Sequence, residues 1–467
     1  MDKNMKIGKG QTVELEIEAL AFGGEGIARI DRFVVFVKGA VPGDIVRATI
    51  FKKRKAYAQA RMEEIISPSS DRTEPPCPYS GYCGGCQLQH VKYDRQLFYK
   101  RNHVIEAFSH IADIKDVLVR EAMPSQLKMG YRNKMEFSFS DRRWFLPGEM
   151  HRKVNSEPFA LGLHVPGTFN KVIDIDACLL QQETGNRILR KVKEYAKESA
   201  EAAYGIKSHQ GFWRFLMIRS SRAFDEWMIN LVTSEEKTSL LMPLAESLID
   251  SEPDIKTVVN NITNKKASVA VGEREVALFG NGYIEDMIGA RTFQVSANSF
   301  FQTNPLSACR LYEKVVEFAA PKGNEKVLDL YSGTGTIPIF LSDRVSSVTG
   351  IEISESAVMD ARKNCVHNGI DNCNFICGDI RKVLSELKVP PDVMVIDPPR
   401  AGMHKDVLGK VIEMAPERIV YVSCNPATMA RDISSMIFRY KVEEIQPVDM
   451  FPHTYHIESV ARLSIRR

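Results

Sequence analysis

The chain has 467 residues, 44% hydrophobic and 26% charged, too many for one ordinary core and typical of a soluble globular protein of two or three domains. No apolar run approaches the ~18 residues of a membrane span, and the start MDKNMKIGKGQ has no apolar leader core, so a cytoplasmic protein without a membrane partner is expected. A net charge of +3 announces no nucleic-acid partner by itself, and nine cysteines, an odd number, favour metal binding or catalysis over a disulfide framework.

Residues 13–20, VELEIEAL, alternate apolar and polar as a half-buried strand does. AFGGEGIARI follows with a Gly-Gly turn, and RFVVFVKGAVPGDIVRATI adds two strands about a Pro-Gly turn. Four or five short strands within residues 1–68 suit a small OB-like β-barrel. Between Arg47 and Arg61 lie six basic residues and no acid, with Phe51 and Tyr57 interleaved. Cations with aromatic faces on such a barrel fit single-stranded nucleic acid; the competing reading is a solvated basic hairpin.

The next loop contains CPYSGYCGGCQ, that is Cys77-x5-Cys83-x2-Cys86. Three close thiolates call for a fourth ligand, and Cys178 in VIDIDACLL is the natural choice. Four thiolates suit tetrahedral zinc or an iron–sulfur cluster, and spacing alone does not choose. A helix is predicted over YDRQLFYKRNHVIEAFSHI, with Leu97, Ile105 and Phe108 on one face. Residues 121–290 mix strands and amphipathic helices, an α+β domain. There Arg132 and Lys134 are candidate RNA contacts or ordinary members of a charged strand face.

From about residue 291, apolar strands alternate with helices, the pattern of a parallel α/β sheet. KVLDLYSGTGTIPIF runs from a strand through Gly333 and Gly335 into a helix, which lets a ligand approach the backbone. Glu352 ends the next strand, placed for ribose hydroxyls, and Asp379 ends the third, where an adenine could rest. The dinucleotide G-x-G-x-x-G fingerprint fails at Pro338. Two further strand ends, Asp397-Pro398-Pro399-Arg400 and Ser423-Cys424-Asn425-Pro426, would face the same cleft.

Cys424 stands at a strand exit, a poor place for a small buried hydrophobe. A thiolate is a strong nucleophile, which carbon 5 of a pyrimidine requires. That carbon accepts a methyl group only after something has added to carbon 6. A base must then remove the proton from carbon 5. Glu458, in FPHTYHIESV, is the candidate, with His453 and His456 as competitors.

The set FFQTN, LDLYSGTG, DPPRAG, VSCNP and HIESV closely resembles the RNA uracil-5-methyltransferases, and the barrel resembles a TRAM domain. The resemblance implies a Rossmann-like class I methyltransferase domain over residues 291–467, joined by residues 89–120. It leaves residues 69–88 and 121–290 to the central domain. It implies S-adenosyl-L-methionine as cofactor, Cys424 as nucleophile and Glu458 as base. Gln302, Tyr331, Thr336, Glu352, Asp379 and Asp397 would line the cofactor and target-base pocket. It also favours a [4Fe–4S] cluster on Cys77, Cys83, Cys86 and Cys178, and RNA, specifically 23S ribosomal RNA, as partner. No obligate protein partner is expected. The rivals are a transfer-RNA uracil-5-methyltransferase and a non-catalytic iron–sulfur RNA-binding protein.

Overall fold

Strict alternation builds the N-terminal unit. Val13 and Leu15 turn inward while Glu14 and Glu16 face water, and Val46, Ala48 and Ile50 repeat the pattern on the neighbouring strand. In the computed structural model, which describes residues 7–150, 158–267, 269–387 and 389–466, six strands form this sheet. The first six residues, part of the expected barrel and of the start expected to carry no leader, lie outside the described residues. The strand order is Thr12–Glu16, Ile45–Lys53, Tyr57–Ser67, Phe33–Lys38, Glu25–Ile30, Ala19–Leu20. Bulges between the two longest strands curl it. Gly26 is needed where it stands, since a Cβ there would lie 2.9 Å from the Ile17 side chain.

The central unit is an eight-stranded mixed sheet. Its middle strands, Trp213–Ser220 and Trp227–Thr233, are buried along their whole length. Ile188, Leu189 and Val192 of the helix Glu183–Glu198 share their core, as do Leu241 and Leu244 of the helix Thr238–Ser251.

The C-terminal unit is the expected Rossmann-like sheet. Its order is Cys373–Cys377, Ser347–Glu352, Lys326–Leu330, Val393–Ile396, Arg418–Ser423, Glu458–Ile465, Tyr440–Val448, Leu118–Val119. The first five strands are parallel, and Glu458–Ile465 runs antiparallel to both its neighbours. Chain order reverses at Lys326–Leu330, so the crevice for a ligand opens at its carboxyl end. The last strand comes from far upstream and pairs parallel with Tyr440–Val448. The helix before it, Tyr93–His110, buries Val104, Ala107 and Phe108 in the same core as Met429, Ile433 and Tyr440. Among the described residues, no helix is long and apolar enough to cross a membrane.

Lys100 of that helix is fully buried with Asp449, Nζ to Oδ1 2.6 Å. Tyr93 donates to the other carboxylate oxygen at 2.9 Å, and Lys100 also donates to the Phe451 carbonyl at 3.1 Å. Breaking such a pair strands a buried charge. Asp449→Ala is therefore expected to cost about 3–5 kcal/mol, while Lys100→Met/Asp449→Leu recovers much of the loss. Urea unfolding followed by hydrogen exchange in peptides of the helix Tyr93–His110 measures both; an Asp449→Ala midpoint equal to wild type would show that the pair does not secure this helix.

Candidate active site

The crevice is a cleft of about 790 Å³. Its cofactor side is built by the turn after Lys326–Leu330. Tyr331 takes a left-handed backbone, φ 67°, and both its N–H and that of Ser332 donate to the Ile351 carbonyl at 3.1 Å. Gly335 is also left-handed, φ 78°, and a Cβ there would strike the Phe375 ring at 2.8 Å. Gly333 has open space where a side chain would stand, and its N–H donates to Glu352 Oε2 at 3.0 Å. Glu352 Oε1 accepts from the Ser354 N–H at 2.8 Å. The carboxylate is thus fixed, with lone pairs left for hydroxyl groups. Thr336 shares a 2.9 Å hydrogen bond with the buried Tyr312. Gln302 lines the same wall, its carbonyl accepting from Asn133 Nδ2 at 3.1 Å.

The thiol side follows from local capping. Ser423 Oγ accepts from the Asn425 N–H at 3.1 Å, and the Asn425 side chain caps the helix Pro426–Ser434 through the Ala427 N–H, also at 3.1 Å. Pro426 at the first helical turn fixes that start. Asn425 and Thr428 side chains both donate to the Arg400 carbonyl, at 3.1 and 3.2 Å, which ties the DPPR loop to the cysteine. Ser423 pairs with Ser459 across the antiparallel ladder, so Cys424 and Glu458 come next to each other at its end. Both line the cleft with Asp397, Arg400 and His456.

Electrostatics set the resting protonation of these groups. Burial pushes the Cys424 thiol up to about 11, helped by Glu458 and Asp397 and opposed by Arg400. Burial, then Asp397, raises Glu458 well above the usual carboxylate range, with Arg400 opposing. Asp397 is raised by burial to about 6. His456 is lowered to about 4, first by burial and then by Arg400, so its ring is neutral at pH 7.

Of the sequence-predicted residues, Gln302, Tyr331, Thr336, Glu352, Asp397, Cys424 and Glu458 all line this cleft. Asp379 does not. Its carboxylate caps the helix Ile380–Glu386 through the Arg381 N–H and pairs with the Arg381 guanidinium, which holds it down to about 2. His453 is buried and does not line the cleft. Asp329 was missed by sequence reasoning. It is 1% exposed and lines the cleft, and neither carboxylate oxygen has a partner among the described residues. Burial, then Asp397 and Glu352, raises it well above its ordinary range. An acid in the middle of the apolar run KVLDL was the available signal.

Cys77, Cys83, Cys86 and Cys178 line a second cavity of about 260 Å³. Burial raises Cys77 and Cys178, and raises Cys83 to about 12 and Cys86 to about 11, with the other thiols adding to the last two. Arg132 and Lys134 line this cavity and do not form a free charged face. Among the described residues, no group of three or more His, Cys, Asp or Glu is arranged to hold a metal ion. On the barrel, the basic run is partly neutralised. Arg47 pairs with Glu14 and Glu64, and Arg61 with Glu63.

Fold and cleft together define a Rossmann-like methyltransferase, and the comparisons with known proteins narrow the class. The family described as tRNA (Uracil-5-)-methyltransferase matches residues 273–379 and 380–466, and the TRAM domain matches residues 8–62. The chain is 42% identical over 437 residues to an uncharacterized RNA methyltransferase of Chlorobaculum tepidum, covering 91% of this chain and 90% of that protein. It is 38% identical over 464 residues to one of Clostridium tetani, covering 98% of each. The structure is similar to that of Pyrococcus abyssi tRNA (uracil-54, C5)-methyltransferase in complex with S-adenosyl-L-homocysteine. That match has a TM-score of 0.74 and 28% identity, covering 97% of this chain and all of that one. The chain belongs to the S-adenosylmethionine-dependent RNA methyltransferases, and within them to the uracil-5 family carrying a TRAM domain.

The raised thiol makes a direct prediction. Thiolate, the reactive form, grows about tenfold per pH unit below the pKa. Iodoacetamide labelling of the Cys424 peptide, followed by mass spectrometry, should rise about 100-fold from pH 7 to pH 9. Arg400→Ala should slow it at each pH, because the neighbouring cation favours thiolate. A flat profile would mean that the resting thiol is already ionised.

Proposed function

We propose that this protein methylates carbon 5 of a uridine in 23S ribosomal RNA through a covalent adduct of Cys424. The observation that carries the reading is the meeting of Cys424 and Glu458 at one strand end. They share a cleft whose other wall presents Glu352, Asp329 and Asp397.

S-adenosyl-L-methionine supplies an electrophilic methyl group when bound. Gln302, Tyr331, Thr336, Glu352 and Asp397 would hold it on the wall of the glycine turn, together with Asp329. The two partnerless oxygens of Asp329 suit the cofactor's cationic groups. The Arg400 guanidinium favours loss of the Cys424 proton to solvent. The Cys424 sulfur would then add to carbon 6 of a uracil turned out of its stack, and carbon 5, made nucleophilic, would take the methyl group as its bond to the donor's sulfonium sulfur breaks and leaves a neutral thioether. Glu458 removes the proton from carbon 5, the electron pair restores the carbon 5–carbon 6 double bond, and the carbon–sulfur bond breaks. A carboxylate with a raised pKa is matched to such a proton transfer. A cytoplasmic location accords with an RNA substrate.

The four cysteines are the proposed ligands of a [4Fe–4S] cluster: all four line one cavity, four thiolates suit such a cluster or zinc, and the resemblance to the uracil-5-methyltransferases favours the cluster. Cluster and TRAM barrel together favour ribosomal RNA. The similarity along its whole length to a transfer-RNA enzyme favours the second reading, a transfer-RNA uracil-5-methyltransferase. Mapping 5-methyluridine in both RNAs after gene deletion decides between them: loss from 23S RNA supports the first and loss from transfer RNA the second.

Cys424→Ser should lower methyl incorporation at least ~10³-fold. Glu458→Gln should slow product release on the order of 10²–10⁴-fold, leaving a protein–RNA adduct stable to detergent. Both are read with tritiated methyl donor and total RNA from the deletion strain, and normal turnover by Cys424→Ser would refute the mechanism. Cys83→Ala should lose iron and brown colour, and a variant isolated with four irons per chain would refute the cluster assignment.

A further inference from the structure

The loop between Tyr440–Val448 and Glu458–Ile465 delivers the base. It also contributes Phe451 and His456 to the cleft. At its centre His453 is held in a left-handed backbone, φ 66°, which a bulky residue rarely adopts. The turn Phe451–Thr454 places Pro452 before it and is closed by the Thr454 N–H on the Phe451 carbonyl at 3.2 Å, which accommodates that conformation, and further partners come from outside the loop. Gln96, fully buried on the helix Tyr93–His110, accepts from the His453 N–H through Oε1 at 2.9 Å. Its amide nitrogen meets His453 Nδ1 at 3.2 Å and donates to the Leu88 and Val91 carbonyls at 3.0 and 2.9 Å. The N–H groups of Gln87 and Leu88 both donate to the His453 carbonyl, each at 2.9 Å. Gln87 directly follows Cys86.

We propose that Gln96 is a positioning residue for Glu458. By clamping His453 between the helix and the cysteine-bearing segment, it sets where the base stands when the proton leaves carbon 5. The inference rests on the reaction proposed above. It assigns Gln96 to one step, since addition of the Cys424 sulfur and methyl transfer precede the need for the base. Loosening the clamp therefore leaves adduct formation intact and slows its breakdown. Glu458 must take the proton before the electron pair can expel the thiolate. A base displaced by about an ångström loses on the order of 10²-fold in rate.

The test uses the full chain with its cysteine site as isolated, tritiated methyl donor, and total RNA from the deletion strain. Gln96→Leu should hold label in a detergent-stable protein–RNA complex, where the wild type passes it to free RNA. With 5-fluorouracil-substituted RNA, whose adduct no base can resolve, the same variant should form complex within about twofold of the wild-type rate. Release of label at the wild-type rate would overturn the inference. A parallel fall of both steps would also overturn it, because that marks a merely structural role. Should Gln96→Leu fail to fold, Gln96→Glu keeps an acceptor for the His453 N–H and is read by the same two measurements. Cys424→Ser run alongside separates the failures: a labelled complex forming without the thiol would refute the reaction itself, whatever Gln96 does.

Discussion

The chemistry of this protein depends on one strand register. The strand Glu458–Ile465 runs antiparallel between two others, and the pairing of Ser423 with Ser459 sets an acid beside a thiol at the edge of the ladder. A slip of one residue would turn the Glu458 side chain to the opposite face of the sheet. The register is strongly specified because Val460, Ala461 and Leu463 are fully buried. Core packing thus fixes the geometry of the proposed reacting groups, and the Asn425–Pro426 cap stops the strand just before Cys424.

Around that register the cleft collects acid. Asp329, Glu352, Asp360, Asp397 and Glu458 share it, among the described residues, with a single guanidinium, that of Arg400. Four of the five carboxyl groups have raised proton affinity, each through burial first. Such a cleft is poorly suited to an anion and well suited to a cation. A positive charge seated there lowers the cost of ionising every acid around it. The wall proposed for the cofactor and the proposed base Glu458 are therefore electrostatically linked without touching.

Much of this was legible in the sequence because it is local. Glycine turns, strand-end acids and the Ser-Cys-Asn-Pro cap each lie within a few residues, and their physics needs no distant partner. The barrel could be read from alternation alone. What escaped depends on contacts between remote segments. The run from Arg47 to Arg61 contains no acid, yet the fold brings Glu14 and Glu64 against Arg47. Asp379 ends a strand as expected, but Arg381 draws its carboxylate to a helix start. Asp329 sat unnoticed within an apolar strand. His453, read as a competitor for the base, is instead the anchor of the loop that carries it.

The helix Tyr93–His110 and the strand Leu118–Val119 precede every strand of the central sheet, yet they complete the C-terminal sheet. Lys100 and Asp449 are 349 positions apart. Relative to a ten-residue loop, closing one of that length costs about 3 kcal/mol more chain entropy. During synthesis this helix must leave the ribosome with its apolar stripe and Lys100 uncovered, and wait until almost the entire polypeptide has been made. The protein therefore cannot mature strictly from front to back. Shortened products that stop within the last strands would leave that stripe open to aggregation, whatever the state of the units already folded.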